Sequence, residues 1–430
     1  MAPTSPLTRS RAFTAAASIA SVAGLLGILH YLDIPSLLQQ RVKSRKVSSR
    51  CYSQNEEPSL AAFKTLVEQI TLKETYPLAS DIQKNIPIYD CRTITREKEH
   101  AWQDELYHVL VHGPGVFVLQ NFFTDHDPID TANAAYETII ADELAANGAK
   151  GDHFAAAGTN SRIWNSFSKH CLQTPRSFLQ YYSNPLFKLV CEAYLGPAYR
   201  ITSQVNIVRP GGKAQVCHRD YHLGFQTASD CAKFPKTLHT TTAFLTLQGA
   251  VAHTDMPLSS GPTRFLPFSQ LFEEGFMAYR RAEFNEYFLQ KYVSLPLEKG
   301  DAVFFSPALF HAAGENTTKD FSRSANLIQV SAAFGKTMET VDSLPLIEAC
   351  YEGLRAQVGK NGGWSRDSEA FVKAVAEGYS FPTNLDRRPP APGGMAPESE
   401  QEVLRRAVEE GWKREEVMDV LRTMREDSSG

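Results

Sequence analysis

Gln215-Val216-Cys217-His218-Arg219-Asp220-Tyr221-His222 sets an imidazole and a carboxylate two residues apart. In an extended segment alternate side chains point the same way, so His218 and Asp220 share one side. A pair placed like this can take two adjacent positions around a metal ion. The third ligand has to come from elsewhere in the chain. His311, after Phe304-Phe305-Ser306-Pro307-Ala308-Leu309-Phe310, is the best placed. Two histidines and one carboxylate on one face, with three positions left open, form the donor set of non-haem Fe(II) oxygenases. The pattern alone is weak: ~0.7 His-x-Asp matches are expected by chance among the histidines of such a chain. A second one, His253-Thr254-Asp255, is present. The surroundings have to decide.

Those surroundings are strand-like. Residues 201–208, 240–251, 302–305 and 326–333 are rich in β-branched and aromatic side chains. Gly211-Gly212, Ser259-Ser260-Gly261-Pro262, Gly300-Asp301 and Ser306-Pro307 separate them. Short strands divided by Gly and Pro predict an antiparallel double-sheet barrel or sandwich and not a parallel α/β sheet. Upstream the reading is helices around short strands. Gly113-Pro114-Gly115 leads into a strand at 116–119, 130–147 is Ala-rich and helical, and 177–194 is helical up to Gly196-Pro197. No GxGxxG, GxxxxGKS/T, GxSxG or HExxH occurs, which removes the entry motifs of dinucleotide, P-loop, serine-hydrolase and zincin chemistry.

Residues 200–334 resemble the phytanoyl-CoA dioxygenase family of Fe(II)/2-oxoglutarate-dependent oxygenases. That family has a His-x-Asp strand, a further strand, Asn-Gly-Pro, a Pro-Gly-Ser-His turn, a Gly-Asp turn, a strand, a distal His and then an Arg. His218-Arg219-Asp220 fills the first place. Asp255-Met256-Pro257-Leu258-Ser259-Ser260-Gly261-Pro262-Thr263-Arg264-Phe265-Leu266-Pro267 fills the second. Lys299-Gly300-Asp301-Ala302-Val303-Phe304-Phe305 leads to His311, and Arg323 follows it by twelve residues. The likeness extends more weakly through 116–122 and 187–210. Its register puts Asp255 on the Gly261-Pro262 turn, where the family has a non-ligand acid, and leaves His253 structural or facing the substrate. Two positions depart from the family: Cys217 replaces a common Trp, and Phe268-Ser269-Gln270 replaces Gly-Ser-His.

The resemblance implies an α+β chain with a mainly β core. That core is a double-stranded β-helix of jelly-roll or cupin type, with flanking N-terminal helices and a C-terminal helical tail. It implies Fe(II) held by His218, Asp220 and His311, with 2-oxoglutarate and O2 as cosubstrates. Arg323 would grip the C5 carboxylate of 2-oxoglutarate with two hydrogen bonds, as a planar guanidinium can. Gln204, Asn206 and Gln215 are further candidate cosubstrate contacts. The expected reaction hydroxylates or otherwise oxidises a small organic substrate and releases succinate and CO2. Phe225, Phe244, Phe265 and Phe310 are candidates for an apolar pocket wall. The alternatives are a silent jelly-roll binding protein and a metal-dependent cupin-type enzyme that does not use 2-oxoglutarate.

Composition sets the outer limits. The 430 residues are 43% hydrophobic and 21% charged, as in an ordinary globular protein. A net charge of −4 offers no basic excess for a phosphate backbone, so no nucleic-acid partner is expected. Seven scattered cysteines without a CxxC pair form neither a disulfide framework nor a zinc cluster. Residues 13–32 carry no formal charge and match the ~20 apolar residues of a membrane span. The first 52 residues hold seven basic side chains and one acid, Asp33. With Arg50-Cys51-Tyr52-Ser53 resembling a matrix-peptidase site, this leader reads first as mitochondrial. A transmembrane anchor making membrane contact through 13–32, or a plain extension, is the alternative. The sequon Asn316-Thr317-Thr318 falls beside the expected site. The expected organisation is a leader over 1–52, a dioxygenase domain over 53–386 with motif core 200–334, a Pro/Gly linker over 387–398, and an amphipathic helical tail over 399–430.

Overall fold

A computed structural model describes residues 47–147, 160–381 and 383–429. The chain divides into two units, Met1–Arg50 and Cys51–Gly430, and every element named here belongs to the second. Its strands are β1 (Asp81–Gln83), β2 (Ile86–Asp90), β3 (Val116–Gln120), β4 (Asn160–Ile163) and β5 (Arg200–Val208), followed by β6 (Thr246–Ala252), β7 (Arg264–Leu266), β8 (Ala302–Phe305), β9 (Phe310–Ala312) and β10 (Arg323–Ser331). Eight of them form one sheet in the order β1-β2-β3-β8-β6-β10-β5-β4, antiparallel except for β2 beside β3. β7 and β9 form a second sheet, widened by single bridges from His218 to His311 and from Phe265 to Val293. The two sheets make the mixed, mainly antiparallel barrel that the sequence implies.

The inner strands of the large sheet are buried on both faces, and their pleat divides the labour. Phe117 and Leu119 of β3, Leu247 and Val251 of β6, Phe304 of β8, and Ile328 and Val330 of β10 join one large cluster with the helices. Those helices supply Trp102, Leu106, Ile129, Phe167, Phe178, Phe187, Val190, Ile347 and Phe371. The alternate residues Val116, Val118, Ala250, Ala252, Val303, Phe305 and Ala325 turn the other way and meet Phe265 of the small sheet. The period of two thus sends one set of side chains to the helical layer and the other into the barrel. On β5 the barrel-facing set includes Gln204 and Asn206, both buried and polar.

Two segments differ from the sequence reading. The stretch 177–194 is broken: one helix spans Pro175–Tyr182 and the next Pro185–Leu195. Pro185 cannot continue a helix, and Asn184 caps the new one by accepting from Leu186 N–H at 3.0 Å. Residues 240–251 start as a helix, Lys236–Phe244, before β6 begins. Thr241 there donates its hydroxyl to the Thr237 carbonyl at 2.7 Å, the i−4 bond that a threonine inside a helix can make.

The C-terminal residues form helices Glu400–Glu409 and Arg414–Ser428, with Gly411 at φ 73° between them. Val403, Leu404, Ala407, Val417, Met418 and Leu421 are buried in the large cluster. All seven cysteines are free thiols. Asn316 of the sequon is fully buried, its amide donating to the carbonyls of Val208 and Phe321 at 2.9 Å each.

The transmembrane and mitochondrial expectations need correction. Among the described residues no helix is long and apolar enough to cross a membrane. The longest, Asp127–Asn147, carries Asp127, Asp130, Glu137, Asp142 and Glu143 along its length. Nothing in the fold supports a mitochondrial address. The apolar stretch 13–32 itself lies outside the described residues.

Candidate metal centre

His218 and His311 sit opposite each other on adjacent chain segments and exchange both backbone bonds, His218 N–H to His311 O at 2.9 Å and His311 N–H to His218 O at 3.1 Å. Their rings lie 4.4 Å apart. Two residues on, Asp220 N–H donates to the Pro307 carbonyl at 2.9 Å, which brings the carboxylate back beside both rings. The ligand atoms of His218, Asp220 and His311 all fall within 4.8 Å of one another. Asp220 Oδ2 lies 3.9 Å from His218 Nε2 and 3.5 Å from His311 Nε2. Just beyond, Tyr221 and His222 both adopt φ 38°, a conformation that non-glycine residues rarely hold and that turns the chain sharply away.

Backbone carbonyls prepare the rings for a metal. His218 Nδ1 is 2.8 Å from Val216 O, and His311 Nδ1 is 2.8 Å from Leu309 O. A carbonyl only accepts, so each Nδ1 carries the hydrogen and each Nε2 presents its lone pair. Burial lowers the pKa of His218, and the neighbouring His311 lowers it further against the opposing pull of Asp220. Burial pushes Asp220 upward, but its closeness to His311 and His218 and its bond from Gln248 outweigh it and hold the carboxyl well below its usual range. Gln248 donates to Asp220 Oδ2 at 2.5 Å. Two imidazole nitrogens and one ionised carboxylate converge, a donor set suited to a divalent ion with open positions.

The three side chains line a cavity of about 130 Å³ inside the barrel. Arg162, Asn206, Gln215, Gln248, Gln329 and Arg323 give it polar walls, and Val118, Met256, Phe265, Leu295, Leu297 and Phe305 give it apolar ones. Arg323 is buried, and burial lowers its pKa to about 10. Nη1 donates to the Gly261 carbonyl, whereas Nη2 is buried without a partner. Among the described residues no carboxylate pairs with it. A buried guanidinium left this way suits an anionic ligand. Gly261 makes the contact possible: at φ 74° it occupies the left-handed region, and a Cβ there would sit 2.3 Å from Glu315 O.

The other candidates divide. Asn206 lines the cavity with its Oδ1 unpartnered, and Gln215 lines it while Oε1 accepts from Ala313 N–H at 3.1 Å. Gln204 is not among the lining residues; its Oε1 accepts from Arg162 Nη1 at 3.0 Å. Phe265 lines the cavity, Phe310 belongs to a separate cluster behind the small sheet, and Phe225 and Phe244 are exposed. His253 is far from this arrangement chemically: Nε2 meets the Tyr181 hydroxyl at 2.9 Å and Nδ1 meets Asn133 Oδ1 at 2.6 Å. Asp255 caps the 298–301 turn by accepting from Lys299 N–H. Sequence reasoning missed Arg162 and Gln248. A glutamine inside the otherwise apolar run of β6 was the available signal for Gln248; Arg162 had none.

The sequence model of the family described as phytanoyl-CoA dioxygenase (PhyH) matches residues 92–325. No curated protein sequence matches the chain. Among solved structures it is similar to the non-haem α-ketoglutarate-dependent epimerase SnoN from nogalamycin biosynthesis, at 17% identity and TM-score 0.39 over 54% of this chain and 84% of that one. It is also similar to the carbocyclase SnoK of the same biosynthesis, at 19% identity and TM-score 0.39 over 56% and 85% of the two chains.

Proposed function

We propose for this chain, which belongs to the phytanoyl-CoA dioxygenase family, that His218, Asp220 and His311 hold the iron and Arg323 holds the distal carboxylate of 2-oxoglutarate. Family membership makes the chain a non-haem iron, 2-oxoglutarate-dependent oxygenase. The finer reading is hydroxylation of a C–H bond in a small organic substrate, with release of succinate and CO2. One observation carries it: the three ligand side chains and the unpaired guanidinium of Arg323 open onto the same cavity.

Bound iron supplies O2 activation coupled to oxidative decarboxylation of 2-oxoglutarate. The protein's own residues do the rest. Val216 and Leu309 carbonyls fix the imidazole tautomers, and Gln248 fixes the carboxylate of Asp220. Arg323 fixes the direction in which a dicarboxylate lies. Met256, Phe265, Leu295 and Phe305 give the cavity apolar surface against which the organic part of a substrate would pack.

The test is succinate release from protein loaded with iron anaerobically, then given 2-oxoglutarate and O2. The wild-type chain is expected to form succinate slowly without a substrate, and His311→Ala to form none while keeping its fold. Turnover and stoichiometric iron in His311→Ala would show that the triad is wrongly assigned.

A further inference from the structure

Between two of the ligands, and facing the opposite way, stands Arg219. It is 2% exposed and among the described residues pairs with no carboxylate. Its guanidinium lies 5.1 Å from the Phe276 ring and 5.3 Å from the Phe310 ring. Nη2 donates to two carbonyls, Ser269 O at 2.6 Å and Phe272 O at 3.1 Å. The niche is fitted to it: a Cβ on Gly275 would come within 1.8 Å of the guanidinium carbon. A buried cation without a counter-charge is costly, and a methionine of similar length would fill the same space without that cost. What a methionine could not supply is the pair of bonds from Nη2, made although Nε is buried without a partner.

Ser269 carries the connection onward. Its hydroxyl donates to Leu266 O at 2.6 Å and accepts from Phe310 N–H at 2.8 Å. Phe310 precedes His311 on β9, and His311 is paired through its backbone with His218. The chain of bonds therefore runs from the residue between His218 and Asp220, through Ser269, to the residue before His311. We propose that Arg219 is a positioning residue: from behind the metal centre it ties the 269–272 turn to both ligand segments and fixes the three ligand side chains relative to one another. This rests on the triad assigned above.

The test uses full-length protein and a metal alone as probe, Fe(II) under anaerobic conditions or Co(II), with the dissociation constant and the thermal transition both recorded. Partners that orient metal ligands typically contribute 10- to 100-fold in affinity. Arg219→Met is expected to weaken metal binding by about that factor, and Arg219→Lys to recover part of it. Ser269→Ala is expected to weaken binding in the same direction. A folded Arg219→Met that binds metal within about twofold of wild type would overturn the proposal, even if its thermal transition fell, because a merely structural role moves stability and not affinity. If Arg219→Met does not fold, Ser269→Ala decides, and unchanged affinity there overturns it. Retention of metal by His311→Ala would remove the triad itself and this inference with it.

Discussion

His253 and His170 hold neutral imidazoles in the core behind β10. Burial lowers each pKa to about 3, and for His253 the nearby His170 and Lys299 add to the effect. His170 lies 2.9 Å from Ser177 Oγ and 3.3 Å from the Tyr136 hydroxyl, so all four ring nitrogens of the pair have partners. The unfolded chain takes up these protons near pH 6.5 and the folded chain only near pH 3, so stability is full above the first value and falls as pH drops through the window. Between pH 7 and pH 5 each histidine is expected to cost roughly 2 kcal/mol. Urea unfolding at the two pH values, in wild type and His253→Gln, checks this. The variant should lose about half of the pair's share of the pH dependence, and an unchanged difference would contradict neutral burial. The same variant should keep its metal, since His253 lies outside the cavity.

At the scale of elements, what could be read from the sequence was what the pleat dictates. His218 and Asp220 share a face because an extended segment alternates, and β8 and β10 lie where their β-branched and aromatic residues predicted. Residues 240–244 were misread as strand because a short run rich in threonine is compatible with a helix turn as well as a strand, and period alone does not separate the two at that length. The break at Asn184-Pro185 was legible in principle, since proline opens a helix more readily than it continues one. Gly261 is the element whose role needed three dimensions. Gly261→Ala would place a side chain against Glu315 O in a conformation that L residues avoid. It is expected to destabilise the protein by about 1–3 kcal/mol and to weaken 2-oxoglutarate binding, because the carbonyl that seats Arg323 moves. Thermal denaturation with a 2-oxoglutarate titration would check both. Loss of stability with unchanged affinity would separate Gly261 from the site.

For the whole molecule, the site depends on two sheets meeting and on a helical layer that holds the large sheet from outside. The layer includes the C-terminal helices, whose Val417, Met418 and Leu421 are buried in the main cluster. Leu421→Ala is expected to cost about 2–5 kcal/mol of stability, measurable by chemical unfolding, without changing metal affinity in the folded protein. A cost near zero would show that this helix does not share the core. The sequence could not show which strand ends would face each other across the barrel. For that reason Arg323 was a matter of resemblance, whereas the fold sets it, from the start of β10, on the same cavity as His218, Asp220 and His311. The measurement that tests this arrangement most directly is the 2-oxoglutarate dependence of succinate release in Arg323→Ala. Losing a charge-assisted, two-pronged contact of about 1.5–3 kcal/mol should lower the apparent 2-oxoglutarate affinity roughly 10- to 100-fold. Iron binding should stay unchanged, and Arg323→Lys should recover only part of the loss. An unaltered 2-oxoglutarate requirement in Arg323→Ala would contradict the account.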